Sequence, residues 1–277
     1  MKPSIRIIQN CFLAEQLDHC SFEPYLNTIP DPPDERYLFC ESNVIRQLVL
    51  DQWHQGYDYF GVLGHAWIAK LHACRTWDIP IKNISTADLS AESLISFVHK
   101  NPEADFISFG RFVSHRVFQA AEKIHPGWIA ATSRILDYLG IQYNLERLIK
   151  RPIYFNFFVG RAACMEAYVR ELLNPAVEAS IHDQTIRQLC FKDAGYFRTW
   201  PKDLDENYQI PHYPLHPFIG ERLINIYTDL AGSSVATYDA ESSPINKMRS
   251  IVRMTTHQIH WLAREKRMAY AAIRSQR

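Results

Sequence analysis

The chain has 277 residues, of which 47% are hydrophobic and 22% charged, a composition typical of a globular protein that argues against long disordered segments. Its 30 basic and 30 acidic residues cancel, so we expect no nucleic-acid partner. No apolar run approaches the roughly 20 residues that cross a bilayer, and the start carries no signal-peptide pattern, which together predict a cytoplasmic protein.

The first half of the chain alternates the patterns of strands and helices. In chain order it predicts a strand at residues 5–8, a loop at 28–35, a helix at 42–53 capped by Ser42, a strand at 57–63, a helix at 90–100 capped by Ser90 and a strand at 105–109. Each strand is followed by a loop or helix, which is the order expected of a parallel sheet.

The second half is richer in helical patterns. It predicts helices at 113–124 and 130–139, the latter closed by Gly140, a strand at 153–159, a helix at 162–173, a long surface loop at 195–217 and a helix at 218–231. Loops of that length inside a compact domain usually carry function. The whole pattern predicts an α/β fold with a mainly parallel central sheet flanked by helices, forming one domain over residues 1–243.

The last segment, residues 244–277, is predicted to be a basic helical extension. From residue 247 onward it has one acidic residue, Glu265, and eight basic residues, Lys247, Arg249, Arg253, Arg264, Lys266, Arg267, Arg274 and Arg277. A basic helix with interspersed Ile251 and Trp261 can lie on an anionic membrane surface. A solvated helix packed on the domain explains the same pattern.

The six cysteines show no paired spacing of the kind that holds a metal. They are Cys11, Cys20, Cys40, Cys74, Cys164 and Cys190, and none forms a C-x-x-C pair. We expect them to be reduced thiols in the cytosol.

Familiar active-site motifs are absent from the sequence. It contains no G-x-x-x-x-G-K-[ST] loop, no G-x-G-x-x-G, no H-E-x-x-H and no G-x-S-x-G. These absences weigh against a P-loop kinase, a Rossmann dehydrogenase, a zincin and an α/β-hydrolase.

Polar residues at the end of the second predicted strand form the first candidate group. Gly61 and Gly64 would let a ligand approach the backbone, while His65 and Lys70 could meet phosphate oxygens. A buried strand followed by an ordinary turn explains the same residues, and spacing alone favours that interpretation.

Two further candidates lie in the middle of the chain. Glu122 and His125 share one face of a helix end and could act as an acid–base pair, although the following Pro-Gly also simply ends the helix. Asn156 stands alone in an apolar aromatic strand and needs hydrogen-bond partners there, from a loop or from a ligand.

The last candidates lie in the final third of the chain. Glu221 and Arg222 are adjacent on a predicted helix and therefore point about 100° apart; one could face a site, or the two could form a structural ion pair. Asp203 and Asp205 form the one literal Asp-x-Asp pair, a weak candidate for holding a divalent ion.

Several short stretches, in order, resemble the capsular glycosyltransferase-like family of bacterial polysaccharide-biosynthesis proteins. They are Ile5-Arg-Ile-Ile-Gln, Glu15-Gln-Leu17 with residues 22–27, Asp58-Tyr-Phe-Gly-Val-Leu-Gly-His65, His125-Pro-Gly127, Tyr154-Phe-Asn156-Phe-Phe and Phe218-Ile-Gly-Glu-Arg-Leu223. The resemblance covers about residues 5 to 230 as short islands. It implies a GT-A-like fold and transfer of a sugar from a nucleotide-sugar donor to a surface polysaccharide or lipid-linked glycan.

The expected chemistry follows from the donor. Cations or oriented donors must meet the diphosphate, and His65, Lys70 and Arg222 are the candidates, with Gly61, Gly64 and Asn156 lining the donor. A base must take the proton of the acceptor hydroxyl; Glu221 and Asp105 are candidates for the base or a metal ligand, and His125 for acid–base work. The resemblance also leads us to consider Mn²⁺ or Mg²⁺ as cofactor.

Two other classes of function stay open at this point. A non-catalytic glycan- or nucleotide-sugar-binding protein of a polysaccharide assembly locus could keep the fold without turnover. A hydrolase using Glu122 or Glu221 with His125 would release free sugar instead of transferring it.

Overall fold

The computed structural model describes residues 2–68, 90–109, 115–196 and 202–238. Its centre is a sheet of six strands in the order β2-β1-β3-β5-β4-β6. The strands are β1 (Ile5–Cys11), β2 (Glu23–Leu26), β3 (Tyr59–Gly64), β4 (Phe106–Ser108), β5 (Phe158–Arg161) and β6 (Val235–Thr237).

One strand runs against the direction of the others. β1 pairs in parallel with both β2 and β3, and β4 pairs in parallel with β6. β5 lies between β3 and β4 and is antiparallel to both. The predicted α/β fold with a mainly parallel sheet is therefore confirmed.

Helices account for most of the remaining described residues. The α-helices are α1 (Glu41–Leu50), α2 (Ala91–Lys100), α3 (Val117–Ile124), α4 (Trp128–Tyr138), α5 (Ala162–Tyr168), α6 (Asn174–His182), α7 (Gln184–Cys190), α8 (Lys202–Tyr208) and α9 (His216–Leu230). A π-helical turn, Val169–Leu173, joins α5 to α6. Two short 3₁₀ helices, Ala14–His19 and Glu35–Phe39, precede β2 and α1 respectively.

Alternating side chains of the strands build two cores, one on each face of the sheet. The larger core joins Ile8, Phe60, Phe106 and Phe158 to side chains of α1, α3, α4, α5, α6, α7 and α9. The smaller core joins Ile7, Tyr59, Leu63, Ile107 and Val159 to Leu94 and Val98 of α2 and to Trp67. Helices thus flank the sheet on both faces.

Several element boundaries differ from the sequence-based prediction. Ser42 does not cap α1; it lies buried inside the helix, and Cys40 occupies the cap position. The helix predicted at 162–173 continues through the π-helical turn to His182. The loop predicted at 195–217 contains α8 and the first residues of α9.

The two outermost strands, β2 and β6, were not predicted; their side chains are mostly exposed or half-buried, unlike the three buried residues of the predicted strand β4. By contrast, the Ser90 cap is confirmed, since its side chain accepts a hydrogen bond from the Ser93 amide. Gly140 has a φ of 68° just after α4, as a C-terminal glycine should. The predicted extension at 244–277 lies outside the described residues, and no described helix is long and apolar enough to cross a membrane.

Candidate functional site

We call the side of the sheet where the five parallel strands end its carboxyl edge, and the opposite side its amino edge. From β1 the chain moves outward to β2 at one end of the sheet, and from β3 it continues towards β4 and β6 at the other end. The direction of strand addition therefore reverses between β1 and β3, and this reversal can be followed at the carboxyl edge. Ligands of open α/β sheets bind in the crevice that such a reversal leaves.

Among the described residues, five of the nine buried side-chain polar atoms without a hydrogen-bond partner lie at this edge. They are both amide atoms of Asn10 in β1, Nδ2 of Asn27 just after β2, Nε1 of Trp67 three residues after β3, and Oγ of Ser108 at the end of β4. None has a hydrogen-bond partner among the residues that the structure describes. Buried polar groups are nearly always hydrogen-bonded, so four strand ends with orphan groups point to a polar ligand or ordered water.

Two of these groups share one face of the sheet. Asn10 lies two residues after Ile8, and Ser108 two residues after Phe106, so both side chains point to the side of the larger core. Asn10 also pairs with Gly64 at the end of β3. Because Gly64 carries no side chain, no side chain of β3 lies directly opposite Asn10 in the ladder.

Asn156 lies at the same edge, because β5 is antiparallel and begins where its neighbours end. Its Nδ2 donates to Oγ of Ser42 at 3.1 Å, and both side chains are buried. The sequence left open whether a loop or a ligand partners Asn156. The structure supplies a helix side chain, Ser42, as its partner.

Two helices start at the carboxyl edge. α1 descends from it to the amino edge, since it connects the end of β2 to the start of β3. The start of α9 meets the start of α1, where a Cβ added to Gly220 would lie 2.6 Å from Ser42 Oγ. The amino ends of helices carry partial positive charge, so this arrangement favours an anionic group nearby.

His65 follows β3 directly and is half-buried at the carboxyl edge. Its backbone oxygen accepts a hydrogen bond from Gln9 Nε2 at 2.9 Å, and its ring meets Phe12 edge-on with centroids 6.3 Å apart. Gln9 Oε1 also accepts from the Ser21 amide at 2.8 Å. The Gln9 side chain therefore fixes the backbone on both sides of the crevice.

Gly61 has a structural role inside the sheet. It lies opposite Val159, and a Cβ placed on it would come within 2.6 Å of the Phe158 carbonyl oxygen. A ligand was expected to approach the Gly61 backbone, but strand β5 occupies that place. The neighbouring candidate Lys70 lies outside the described residues.

Glu221 and Arg222 contact each other in the second turn of α9. Nη1 of Arg222 lies 3.4 Å from Glu221 Oε2 and donates to the Phe218 backbone oxygen at 2.9 Å. Burial lowers the pKa of Arg222, and the Glu221 carboxylate acts in the opposite direction. This geometry matches the ion pair considered from the sequence, one residue beyond the contact of Gly220 with Ser42.

Asp105 lies at the amino edge, away from His65 and Asn156. It precedes β4, and its Oδ2 accepts hydrogen bonds from the Ser234 amide and hydroxyl at 2.8 and 2.9 Å. The carboxylate thereby joins the start of β4 to the start of β6. The structure does not bring Asp105 together with the other predicted catalytic residues.

His125 is buried in the larger helical layer. Its Nδ1 lies 3.0 Å from the Ala194 carbonyl oxygen, and its ring stacks on Phe218 at 3.7 Å. Burial lowers its pKa to about 4. Glu122 is engaged too, since its carboxylate accepts from the amides of Gly127 and Ile129, so the His-Pro-Gly stretch forms a structural helix junction.

The described residues give no support for a metal centre. Among them, no group of three or more His, Cys, Asp or Glu side chains could hold a metal ion. Asp203 and Asp205 lie in α8, and Asp205 is exposed. The Asp203 side chain falls outside the described part of the chain.

Sequence analysis missed the polar groups at the strand ends. Asn10, Asn27 and Ser108 each follow a short apolar run, and a polar residue in that position could have been selected as a site candidate. Trp67 had no such signal, because an indole after a strand usually belongs to the core. Comparisons of the chain with protein-family models, curated proteins and solved structures found no match.

Proposed function

We propose that the protein is a glycosyltransferase that moves a sugar from a nucleotide-sugar donor to a bacterial surface polysaccharide or lipid-linked glycan. The observation that carries this proposal is the set of buried polar atoms at the ends of β1, β2, β3 and β4 that find no hydrogen-bond partner among the described residues. A ligand that supplies their missing hydrogen bonds must present many polar atoms along the carboxyl edge.

The chemistry of these atoms suits a nucleotide sugar. Asn10 offers a donor and an acceptor, Trp67 a donor, and Ser108 one of each. Bases, ribose and sugar hydroxyls carry the complementary groups without net charge. The diphosphate would lie towards the amino ends of α1 and α9, where positive helix dipoles and Arg222 favour an anion.

Within this proposal His65 and Arg222 bind the diphosphate, and Lys70 stays a further candidate for it. Gly64 and Asn156 shape the donor site, and Glu221 is the proposed base for the acceptor hydroxyl. If the reaction uses Mn²⁺ or Mg²⁺, Asp203 and Asp205 would hold the ion, which would offset the negative charge of the diphosphate. The parallel sheet with its single antiparallel strand is compatible with a GT-A-like domain.

We further propose a cytoplasmic location, with residues 244–277 resting on anionic lipid where lipid-linked acceptors lie. Deleting residues from Lys247 onward should then reduce flotation with anionic liposomes. Unchanged flotation would remove the membrane contact from the proposal and leave the donor site untouched.

One observation favours a second function, a non-catalytic nucleotide-sugar- or glycan-binding protein. Two of the three predicted catalytic residues, Asp105 and His125, are engaged in structural hydrogen bonds. Such a protein would keep the donor site and lack turnover. The transferase and a nucleotide-sugar-binding protein would both bind the donor, but only the transferase would transfer the sugar.

The experiment is a thermal-shift panel of UDP-, GDP-, CMP- and dTDP-sugars, with and without Mn²⁺. A ligand that binds only the folded state increases the free energy of unfolding by mass action, by about 2.7 kcal/mol at a ligand concentration of 100 times Kd. This increase raises Tm. We expect one nucleotide class to raise Tm selectively. A flat panel, with a known transferase responding in parallel, would overturn both the proposed transferase and the donor-binding alternative.

Two asparagine variants show where the ligand binds. Asn10→Leu at the carboxyl edge should abolish the ligand-induced shift. Asn101→Leu, in which the replaced amide donates to the Phe97 carbonyl at the other end of the sheet, should keep it. Radiolabelled sugar transfer to an extracted glycan acceptor then distinguishes the enzyme from the binding protein.

A further inference from the structure

Two thiols meet at the carboxyl end of β1. Sγ of Cys11, the last residue of β1, lies 3.3 Å from Sγ of Cys20. None of the five described cysteines takes part in a disulfide. A disulfide has its sulfurs about 2.05 Å apart, so this pair needs to close by only about 1.3 Å.

The two thiols differ in how far they can move. Cys11 is buried and paired into the sheet opposite Leu26. Cys20 is half-buried and follows the 3₁₀ helix Ala14–His19, in which no residue is buried. The side of Cys20 can therefore adjust while β1 stays fixed.

Local hydrogen bonds already hold the two sulfurs towards each other. Cys11 Sγ lies 3.6 Å from the Gln9 carbonyl oxygen, and Cys20 Sγ lies 3.4 Å from that of Gln16. Gln9 Oε1 also accepts from the amide of Ser21, the residue after Cys20. The Gln9 side chain thus ties the segment carrying Cys20 to β1.

We propose that Cys11 and Cys20 form a reversible disulfide with an oxidising thiol–disulfide couple, which makes the end of β1 a thiol modification site. The inference does not rest on the proposed function. It places a covalent link at Cys11, the residue after Asn10, on the side of β1 that pairs with β2.

The reaction balances as two thiol–disulfide exchanges with oxidised glutathione. The more accessible Cys20 thiolate attacks one glutathione sulfur, forms a mixed disulfide and releases one glutathione thiolate. Cys11 then loses its proton and attacks Cys20 Sγ, which releases the second thiolate. The protein gives up two electrons and two protons, and both end on two molecules of reduced glutathione.

The order of the two steps follows from the surroundings of Cys11. Burial, the hydrogen bond with Cys20 and the charge of a Cys20 thiolate together raise the pKa of the Cys11 thiol to about 12. Once Cys20 is bound to glutathione, its thiolate charge and hydrogen bond are gone, and only burial still opposes ionisation of Cys11. Cys20 therefore reacts first, and Cys11 resolves the mixed disulfide.

The test equilibrates the full-length protein with defined ratios of reduced and oxidised glutathione, quenches with an alkylating agent and reads the intact mass. We expect wild type to lose two hydrogens and two alkylation sites in excess oxidised glutathione, and to recover both in dithiothreitol. Glu-C cleavage after Glu15, between the two cysteines, should leave two peptides joined through Cys11 and Cys20. A link of ten residues should raise Tm by roughly 5 °C.

Three variants make the result decisive. Cys20→Ser should keep a free thiol at Cys11, and Cys11→Ala should stop at glutathione bound to Cys20. Cys164→Ser, a half-buried cysteine next to Asp105, should form the same link as wild type. Any of four results would overturn the proposal: alkylation of both Cys11 and Cys20 in oxidised wild type, glutathione left on Cys20 in wild type, a link to any other cysteine, or loss of the link in Cys164→Ser.

Discussion

Asn10 offers a direct test of the carboxyl-edge site. Its side chain is fully buried, and neither amide atom has a partner among the described residues. An unsatisfied buried polar group costs about 1–3 kcal/mol. Leucine has the same branching at Cγ and no polar atom, but its methyl groups are larger and offset part of the gain. We therefore expect Asn10→Leu to stabilise the ligand-free protein by about 1–2 kcal/mol.

The matched control is Asn225→Leu, because Asn225 is also fully buried but has both amide atoms paired. Its Oδ1 accepts from the Ile153 amide and its Nδ2 donates to the Ile153 carbonyl oxygen, each at 2.8 Å. Leucine there leaves two backbone groups unpaired, and we expect a loss of about 2–5 kcal/mol. The same substitution should thus have opposite signs at the two positions.

Urea unfolding of the two variants and wild type measures both effects, with the midpoint shift read at constant m-value. A gain of 1–2 kcal/mol corresponds to a Tm increase of roughly 2–8 °C in a domain of this size. A loss of more than 1 kcal/mol in Asn10→Leu would refute the reasoning. It would mean that the Asn10 amide is hydrogen-bonded in the ligand-free protein, and Asn10 would then no longer indicate a ligand at the carboxyl edge.

Three further substitutions test other parts of the structure. Gly61→Ala should lose about 1–3 kcal/mol in urea unfolding, since its Cβ would collide with β5; an unchanged midpoint would contradict the β3–β5 register. Burial, with a smaller effect of Arg187, lowers the pKa of His216 to about 3, so between pH 6.5 and about 3 His216 is protonated only in the unfolded chain and stability falls as the pH falls through this window. His216→Leu should reduce that slope by about 1.4 kcal/mol per pH unit, and an unchanged slope would contradict its burial. Glu221→Gln should abolish sugar transfer while the protein stays folded, at a lower Tm because Arg222 loses its carboxylate partner; surviving transfer would exclude Glu221 as the base.

The fold class could be read from the sequence because its signals are local. The apolar runs of β1 and β3 and the cap at Ser90 need no distant partner to be recognised. The edge strands β2 and β6 lack the buried apolar run that identified β4, and each pairs with a single neighbouring strand, β1 or β4. The π-helical turn at Val169–Leu173 likewise gave no signal, since the helical pattern stops being clear at residue 173.

The candidate site was harder to predict, because residue type does not reveal which partners a side chain has. Asp and His are frequent catalytic residues, yet in this fold Asp105 is hydrogen-bonded to Ser234 and His125 to the Ala194 carbonyl oxygen. Those partners are 129 and 69 residues away, and no spacing in the sequence announces them. His65 and Gly64 were chosen correctly as strand-end residues, because their position could be inferred from β3 alone.

The contrast between Asn10 and Asn225 shows what kind of evidence identifies a site in this protein. Both are buried asparagines in apolar surroundings, and the sequence treats them alike. Asn225 has both amide atoms paired and therefore stabilises the fold. Asn10 has no such partner in the described part of the chain, so we expect its burial to oppose folding. Groups that destabilise the fold are typical of functional sites, where they serve a role such as ligand binding. Asn27, Trp67 and Ser108, at the ends of β2, β3 and β4, also carry buried atoms that no described residue pairs, and they lie at the same edge as Asn10. The proposed nucleotide-sugar ligand would pair the groups at all four positions.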